Sequence, residues 1–338
     1  MRPVKLSIVL EWMESEGLLD TSDITQIVKN VPDAFEIAGF ASVDLAGDAD
    51  ASFWVGDTVK SETNANGFAS SLLGKVHAGL LFVPRGLAVD LSVAPSVGCI
   101  VPVENPYHAM VRFLEKFAGE PAGAPFIAES ARVHASAVVE GSVGENAVVG
   151  PGCVIMRGAT LGAGCVLEAN VTVYPNVVVG ENCVFQAGAV VGSRGFGFYE
   201  YGGVRRPVPH PAGVRIGHDC SFGANSVVAA GFLTPTTIGD HCHFDSFVQI
   251  AHNCRLGNNI YMASQSAVAG SVIVEDDVEF AGGAKAAGHL TIGKGARIAA
   301  KAGVTKSVPA GRTVSGFPAD EISRWRRSMV RLRQMGEK

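Results

Sequence analysis

Charge and aromatic rings are both scarce here, at 17% and 7% of a 338-residue chain. Disorder is nevertheless excluded, because 47% of the residues are hydrophobic and they recur at regular spacing. An excess of basic residues is also missing. The formal net charge is −5, which argues against general nucleic-acid binding. No apolar run is long enough to span a bilayer, and Glu11 and Glu14 follow Ser7–Leu10 too closely for a signal peptide. There is no Cys-x-x-Cys motif, so the seven cysteines do not read as a metal or disulfide framework. A cytoplasmic setting, where they stay reduced, is the expectation. What the chain has in abundance is glycine, 41 residues, a sign of a turn-dense β architecture.

The first 104 residues carry no repeat and read as a mixed α/β domain. Leu6–Leu18 has helical amphipathic spacing, and Ala78–Val83 is a buried strand. Asn105-Pro106 is a helix start signal, with proline at the first helical position. A connecting helix over Tyr107–Phe117 and a Gly/Pro-rich linker follow, together occupying 105–124.

From Ala131 apolar residues recur every sixth position, through Val143, Ile155, Leu167 and Val179 to Val191. The period breaks at about 197–215 and resumes at Ile216. After a short excursion near Phe232–Pro235 it runs from Ile238 to Val304. This is the hexapeptide signature of a parallel β-helix over 125–316, and it resembles the left-handed triangular prism. Three hexads make one coil, and each coil advances the chain by roughly 4.8 Å. The fourth hexad position is often Gly or Asn, residues that tolerate a left-handed backbone (Asn146, Gly152, Asn170, Asn182). The fifth holds six cysteines, from Cys153 to Cys254, in a phase that faces inward. Residues 317–338 read as a C-terminal basic helix carrying Arg324, Arg326, Arg327, Arg331 and Arg333. The fold class is thus mainly β, a left-handed parallel β-helix with an N-terminal α/β domain and a C-terminal helix.

One stretch departs from the repeat's needs. Counting three hexads per coil from Ile238 puts the hexads of Ile250, Val268 and Ala286 on one face. His252 and Gly270 then share the third hexad position one coil apart, with Gly288 one coil further and His289 beside it at the corner. A neutral imidazole can serve as a general base, and a glycine about one strand spacing away leaves its N–H open to a developing oxyanion. Amine acylation needs both. The run Gly288–Lys294 nearly matches a phosphate-binding loop but lacks the closing Ser/Thr, so it is discarded.

Gln249-Ile-Ala-His-Asn253, then Ala269-Gly270-Ser271 and Ala287-Gly-His-Leu290, resembles the UDP-3-O-(3-hydroxyacyl)glucosamine N-acyltransferases of lipid A synthesis. The resemblance extends to Gly195-Phe-Gly-Phe198, Asn105-Pro-Tyr107, Ser315-Gly-Phe-Pro318 and Trp325-Arg326. It implies that His252 is the general base for the glucosamine 2-amine, Gly270 the oxyanion donor and His289 an assisting histidine. Asp245 matches an aspartate that orients or charge-balances the site. Phe53, Phe196, Gly197 and Gly288 fall on substrate-binding positions, Phe53 as a platform for uracil. The resemblance also implies a homotrimer, an acyl carrier protein that brings the 3-hydroxyacyl thioester, a UDP-amino sugar acceptor, and no metal or diffusible cofactor. Departures are local: Val228-Ala-Ala-Gly231 replaces the family's Asp-Arg-Gly, Asp245-Ser246 its Asp-Asn, and its Asn-Pro-Lys-Tyr is absent from Val55–Thr63.

Three alternatives follow. A paralogue would acylate another nucleotide amino sugar or use acyl-coenzyme A. A zinc hydratase would need a third histidine, and none follows His289. A non-catalytic β-helix scaffold would turn over no acyl donor.

Overall fold

The computed structural model describes residues 1–20, 27–32, 34–54, 76–86, 96–119, 124–316 and 319–336. The stretch Val55–Thr63 lies outside these residues, as do Phe317 and Pro318.

The hexads build three parallel sheets whose strands stack coil on coil. The first face has eight strands, from Ser142–Val143 to Thr291–Ile292. The second has ten, from Arg132–Val133 to Thr313–Val314, and the third nine, from Val138–Val139 to Gly303–Val304. Neighbouring strands pair residues 18 apart, such as Ile250 with Val268 and Val268 with Ala286. Most strands are only two residues long, because each hexad spends its remaining residues on a corner. The fourth position makes that corner in the left-handed region, with φ of 56° at Asn146, 68° at Gly152 and 59° at Asn182.

Inward-facing residues pack as columns up the prism. Phe185, Phe222 and Phe244 stack with ring centroids 4.7 and 4.9 Å apart. The six repeat cysteines are fully buried, and each thiol reaches the carbonyl of the next coil, as Cys254 does to Ala269 at 3.1 Å. Burial pushes the Cys254 thiol up to about 11, in keeping with a small core filler.

The chain leaves this ladder twice. The first departure follows a register shift between Val191 and Ser193. Residues 198–207 then form an antiparallel hairpin of Phe198–Tyr201 with Val204–Pro207. Its tip, Gly202-Gly203, has φ of 62° and 72°, the backbone that a tight hairpin turn demands. The second departure, at Phe232–Pro235, leans on the N-terminal domain, where Leu233 joins that domain's core.

In the N-terminal domain a five-stranded sheet runs Val28–Lys29, Val97–Val103, Ala78–Pro84, Asp50–Phe53, Gly39–Phe40. Helix α1 (Leu6–Ser15) buries Leu6, Val9, Trp12 and Met13. Helix α2 (Pro106–Phe117) begins where Asn105 accepts the His108 N–H at 3.0 Å. It connects the two domains, but it also buries Met110, Phe113 and Leu114 in the N-terminal core. Helix α3 (Ile322–Gly336) closes the described chain and buries none of its residues. No helix among the described residues is long and apolar enough to cross a membrane.

Candidate active site

A cavity of about 1100 Å³ opens where the N-terminal domain, the hairpin and the third face meet. Its walls come from elements far apart in sequence. Phe53 and Trp54 end an N-terminal strand, Phe196–Phe198 lead into the hairpin, Phe232–Thr234 form the second departure, and His252-Asn253 turn the corner of a coil.

His252 follows strand Gln249–Ile250 on the third face. Its ring lies directly over Gly270 one coil along. A Cβ built on Gly270 would stand 2.7 Å from His252 Cε1 and 2.8 Å from Nε2, so only glycine leaves room for the imidazole. The expected column is therefore real, and its two members touch. The Gly270 N–H makes no backbone hydrogen bond among the described residues, whereas its carbonyl accepts the His289 N–H at 3.1 Å. Gly288 continues the stack, its position for a Cβ lying 3.0 Å from the Gly270 oxygen.

The neighbouring asparagine fixes the tautomer of His252. Asn253 has φ of 60°, and its amide Nδ2 donates to the Thr234 carbonyl at 3.0 Å. Its Oδ1 accepts the Phe232 N–H at 3.2 Å and stands 3.1 Å from His252 Nδ1. An amide so anchored offers oxygen to the ring, so Nδ1 carries the hydrogen and Nε2 keeps its lone pair. Asn253 thus holds the imidazole and clips the Phe232–Thr234 wall with one side chain.

A second histidine, absent from the sequence-based candidates, stands in the same cavity. His210 lies 4.9 Å from His252 between ring centroids, at an interplanar angle of 58°. Its Nδ1 donates to the Val208 carbonyl at 3.0 Å. Burial pushes its pKa down to about 4, with the nearby His252 acting in the same direction, so the ring is neutral near pH 7. Gly195 is wedged between the rings. A Cβ there would come within 2.8 Å of both His210 Nε2 and His252 Cδ2. His210 escaped notice because it lies in the stretch without a hexad period. The available signal was its flanking by Pro209 and Pro211, which stiffen the backbone that carries it.

The remaining candidates divide. Phe53, Phe196 and Gly197 line the cavity. Phe53 packs edge-on against Tyr107 at 5.3 Å, and Phe196 is 88% exposed. His289 is an exposed corner residue with φ of 60°. Asp245 faces elsewhere. It lines a separate concavity of about 800 Å³ on the second face, with His243, Tyr261, Glu279 and Arg297. There its carboxylate accepts the N–H groups of Ser246 and Ser264, at 2.7 and 3.1 Å. Among the described residues no group of three His, Cys, Asp or Glu side chains is arranged to hold a metal.

The repeat matches the family model of the bacterial transferase hexapeptide (six repeats) over residues 141–173 and 158–193. It matches that of the hexapeptide repeat of succinyl-transferase over 213–245. A UDP-3-O-acylglucosamine N-acyltransferase of Caulobacter sp. (strain K31) is 46% identical over 148 residues, 43% of each chain. The match to this relative, like that to the one from Janthinobacterium sp. (strain Marseille), spans under half of the relative's length. Among solved structures, the UDP-N-acetylglucosamine acyltransferase of Francisella novicida is similar at a TM-score of 0.48 and 26% identity, over 56% of this chain and 67% of that one. A longer match is to the UDP-3-O-acylglucosamine N-acyltransferase of Delftia acidovorans, 33% identical over 305 residues, 88% of this chain and 85% of that protein. On the extent of that match, the chain belongs to the UDP-3-O-acylglucosamine N-acyltransferase family.

Proposed function

We propose that the protein is an N-acyltransferase that moves a 3-hydroxyacyl group from acyl carrier protein to the 2-amine of UDP-3-O-acylglucosamine, in lipid A synthesis. The observation that carries this reading is the contact of His252 with Gly270, one presenting a free Nε2 and the other an N–H without a backbone partner. The amine nitrogen attacks the thioester carbonyl, and the carbonyl π pair moves onto oxygen, where the Gly270 N–H receives it. His252 Nε2 takes one amine proton as the N–C bond forms. Collapse restores the carbonyl and expels the thiolate, which takes that proton from the imidazolium. No metal or diffusible cofactor enters the balance.

The rest of the reading assigns roles that the placement of these residues supports. Phe53, at the N-terminal end of the cavity, is the platform for uracil, with Phe196, Gly197 and Gly288 beside the sugar and acyl groups. Asp245 opens on a different face from His252, so it serves the reaction from a neighbouring copy in a homotrimer. The five arginines of α3 offer a basic surface to an acidic carrier protein. All of this is chemistry for the cytoplasm, where acyl carriers are charged. A nearby alternative is a paralogue that uses another nucleotide amino sugar or acyl-coenzyme A, favoured by the uncharged Ala229-Ala230 in place of Asp-Arg.

The test is thiol release from a panel of 3-hydroxyacyl carriers and acyl-coenzyme A, with mass spectrometry of the nucleotide product. Acylated UDP-3-O-acylglucosamine is expected, and His252→Ala should lower turnover about 10²- to 10⁴-fold. Product only from another amino sugar moves the assignment to the paralogue. No turnover with any donor rejects catalysis in favour of a scaffold, and near-normal turnover by His252→Ala rejects the base.

A further inference from the structure

Two imidazoles facing one cavity exceed what proton removal requires, and the second has its own geometry. His210 sits where the hairpin strand returns to the prism, between Val208 and the strand that starts at Val214. Its Nδ1–H is committed to the Val208 carbonyl, which can only accept. The lone pair is therefore on Nε2, which has no hydrogen-bond partner among the described residues. Gly195 and Gly197 keep that nitrogen accessible: a Cβ at either would stand 2.8 or 3.3 Å from it. Gly195 packs between the two rings, where a Cβ would stand 2.6 Å from His252 Cβ and 2.8 Å from both His252 Cδ2 and His210 Nε2. Both rings line the same cavity with their centroids 4.9 Å apart, so two unpaired acceptors stand within reach of one bound group.

We propose that His210 accepts the second amine hydrogen of the acceptor sugar and thereby selects an amine over a hydroxyl at the reacting position. This rests on the acyltransferase reading of the same cavity. A primary amine carries two hydrogens and one lone pair. With one hydrogen on His252 and the other on His210, the C–N bond and both hydrogens are fixed, and the lone pair has one direction left, toward the thioester carbonyl. The proton on His252 leaves as the N–C bond forms. The hydrogen on His210 stays on nitrogen and becomes the amide N–H of the product, so His210 exchanges no proton. A neutral ring suits that role, since a protonated one would present a donor and repel the amine. A hydroxyl has a single hydrogen. Once His252 has accepted it, His210 Nε2 faces an oxygen lone pair and is left as an unpaired buried acceptor.

The experiment compares the intact protein with His210→Gln, His210→Asn and His210→Leu, using UDP-3-O-acylglucosamine and its 2-hydroxy counterpart, UDP-3-O-acylglucose. Thiol release with each acceptor is measured, with binding of each acceptor by calorimetry and folding by circular dichroism. The leucine variant should lose about 10- to 100-fold in kcat/KM for the amine acceptor, the cost of a desolvated N–H without a partner. It should lose nothing for the hydroxyl acceptor, so the preference between the two collapses in turnover and in binding. Glutamine, whose side-chain oxygen can reach the same place, should stay within about fivefold of the parent, and asparagine, one methylene shorter, should behave like leucine. Amine turnover at the parent rate in a folded leucine or asparagine variant overturns the proposal, as does equal loss with both acceptors. Should the leucine variant not fold, the glutamine and asparagine pair decides in the same way. Absence of turnover in the parent protein rejects the acyltransferase reading itself, a result distinct from either of these.

Discussion

The contact between His252 and Gly270 can be perturbed with a single methyl group. In Gly270→Ala the added carbon would sit 2.7 Å from His252 Cε1 and 2.8 Å from Nε2. Carbon atoms pack at about 3.5–4.0 Å, so the ring must retreat by roughly 0.8 Å or more. Gly270 is not among the residues with positive φ, so alanine imposes no backbone strain, and the ring has cavity to move into. Stability should therefore change little. Chemistry should not be spared: a misplacement of about 1 Å costs on the order of 10²-fold, about 2.7 kcal/mol. On the proposed mechanism, blocking the Gly270 N–H deepens the loss toward about 10³-fold. Gly282→Ala is the matched control. Gly282 holds the same hexad position on the second face, where a Cβ would meet only the Ser264 carbonyl at an ordinary 3.6 Å. Carrier-thiol release and urea denaturation of both variants are the assays. Parent-level turnover in Gly270→Ala would refute the pairing of base and oxyanion donor, and an equal loss in Gly282→Ala would trace the effect to the coil, not the site.

Two further outcomes follow from the same geometry. Asn253→Ala removes the Phe232 and Thr234 hydrogen bonds and puts a Cβ-bearing residue without a polar partner at φ of 60°, so stability should fall by about 2–3 kcal/mol in urea denaturation. Asn253→Gly keeps the backbone and should recover about half of that stability but little of the activity, since His252 still loses its orienting oxygen; full recovery of both would contradict the dual role. Acid sensitivity should trace partly to His210, whose pKa falls from 6.5 to about 4 in the fold, so that between those values the unfolded chain holds a proton the folded chain lacks. The associated stability is complete above about pH 6.5 and drains as pH falls toward 4, by about 1–2 kcal/mol once solvent screening of the half-buried ring is counted. His210→Gln should flatten that part of the stability-versus-pH curve, and parallel curves for the two proteins would refute it.

How much of this was legible depended on whether a residue belonged to the period. Register needs only the spacing of 18 residues, so the alignment of Ile250, Val268 and Ala286, and with it the His252–Gly270 pair, could be counted from sequence. The same count shows why Asp245 lies elsewhere. Seven residues before His252 is one hexad and one residue, which is the preceding face. His289, two coils and one residue beyond His252, is likewise carried onto the corner. His210 was invisible for the opposite reason: it lies in a departure from the repeat, where position follows from tertiary contact and no period reports it. The same holds for Leu233, an ordinary apolar residue until the second departure is seen docked in the N-terminal core. Asn253 occupies a corner position with φ of 60°, and nothing in the sequence reveals that its amide also orients His252.

The stack is also a gauge of length. From the strand of His243 on the second face, the chain climbs through Tyr261, Glu279 and Arg297 to Thr313 in four steps, or about 19 Å at one strand spacing each. Because each coil touches only its neighbours, inserting or deleting one 18-residue coil above the site would raise or lower the root of α3 by about 4.8 Å and leave His252, Gly270 and the cavity walls where they are. The reach between reaction centre and C-terminal helix is therefore adjustable in fixed increments, independently of the chemistry, and a partner docked on that helix would be matched to the site by counting coils.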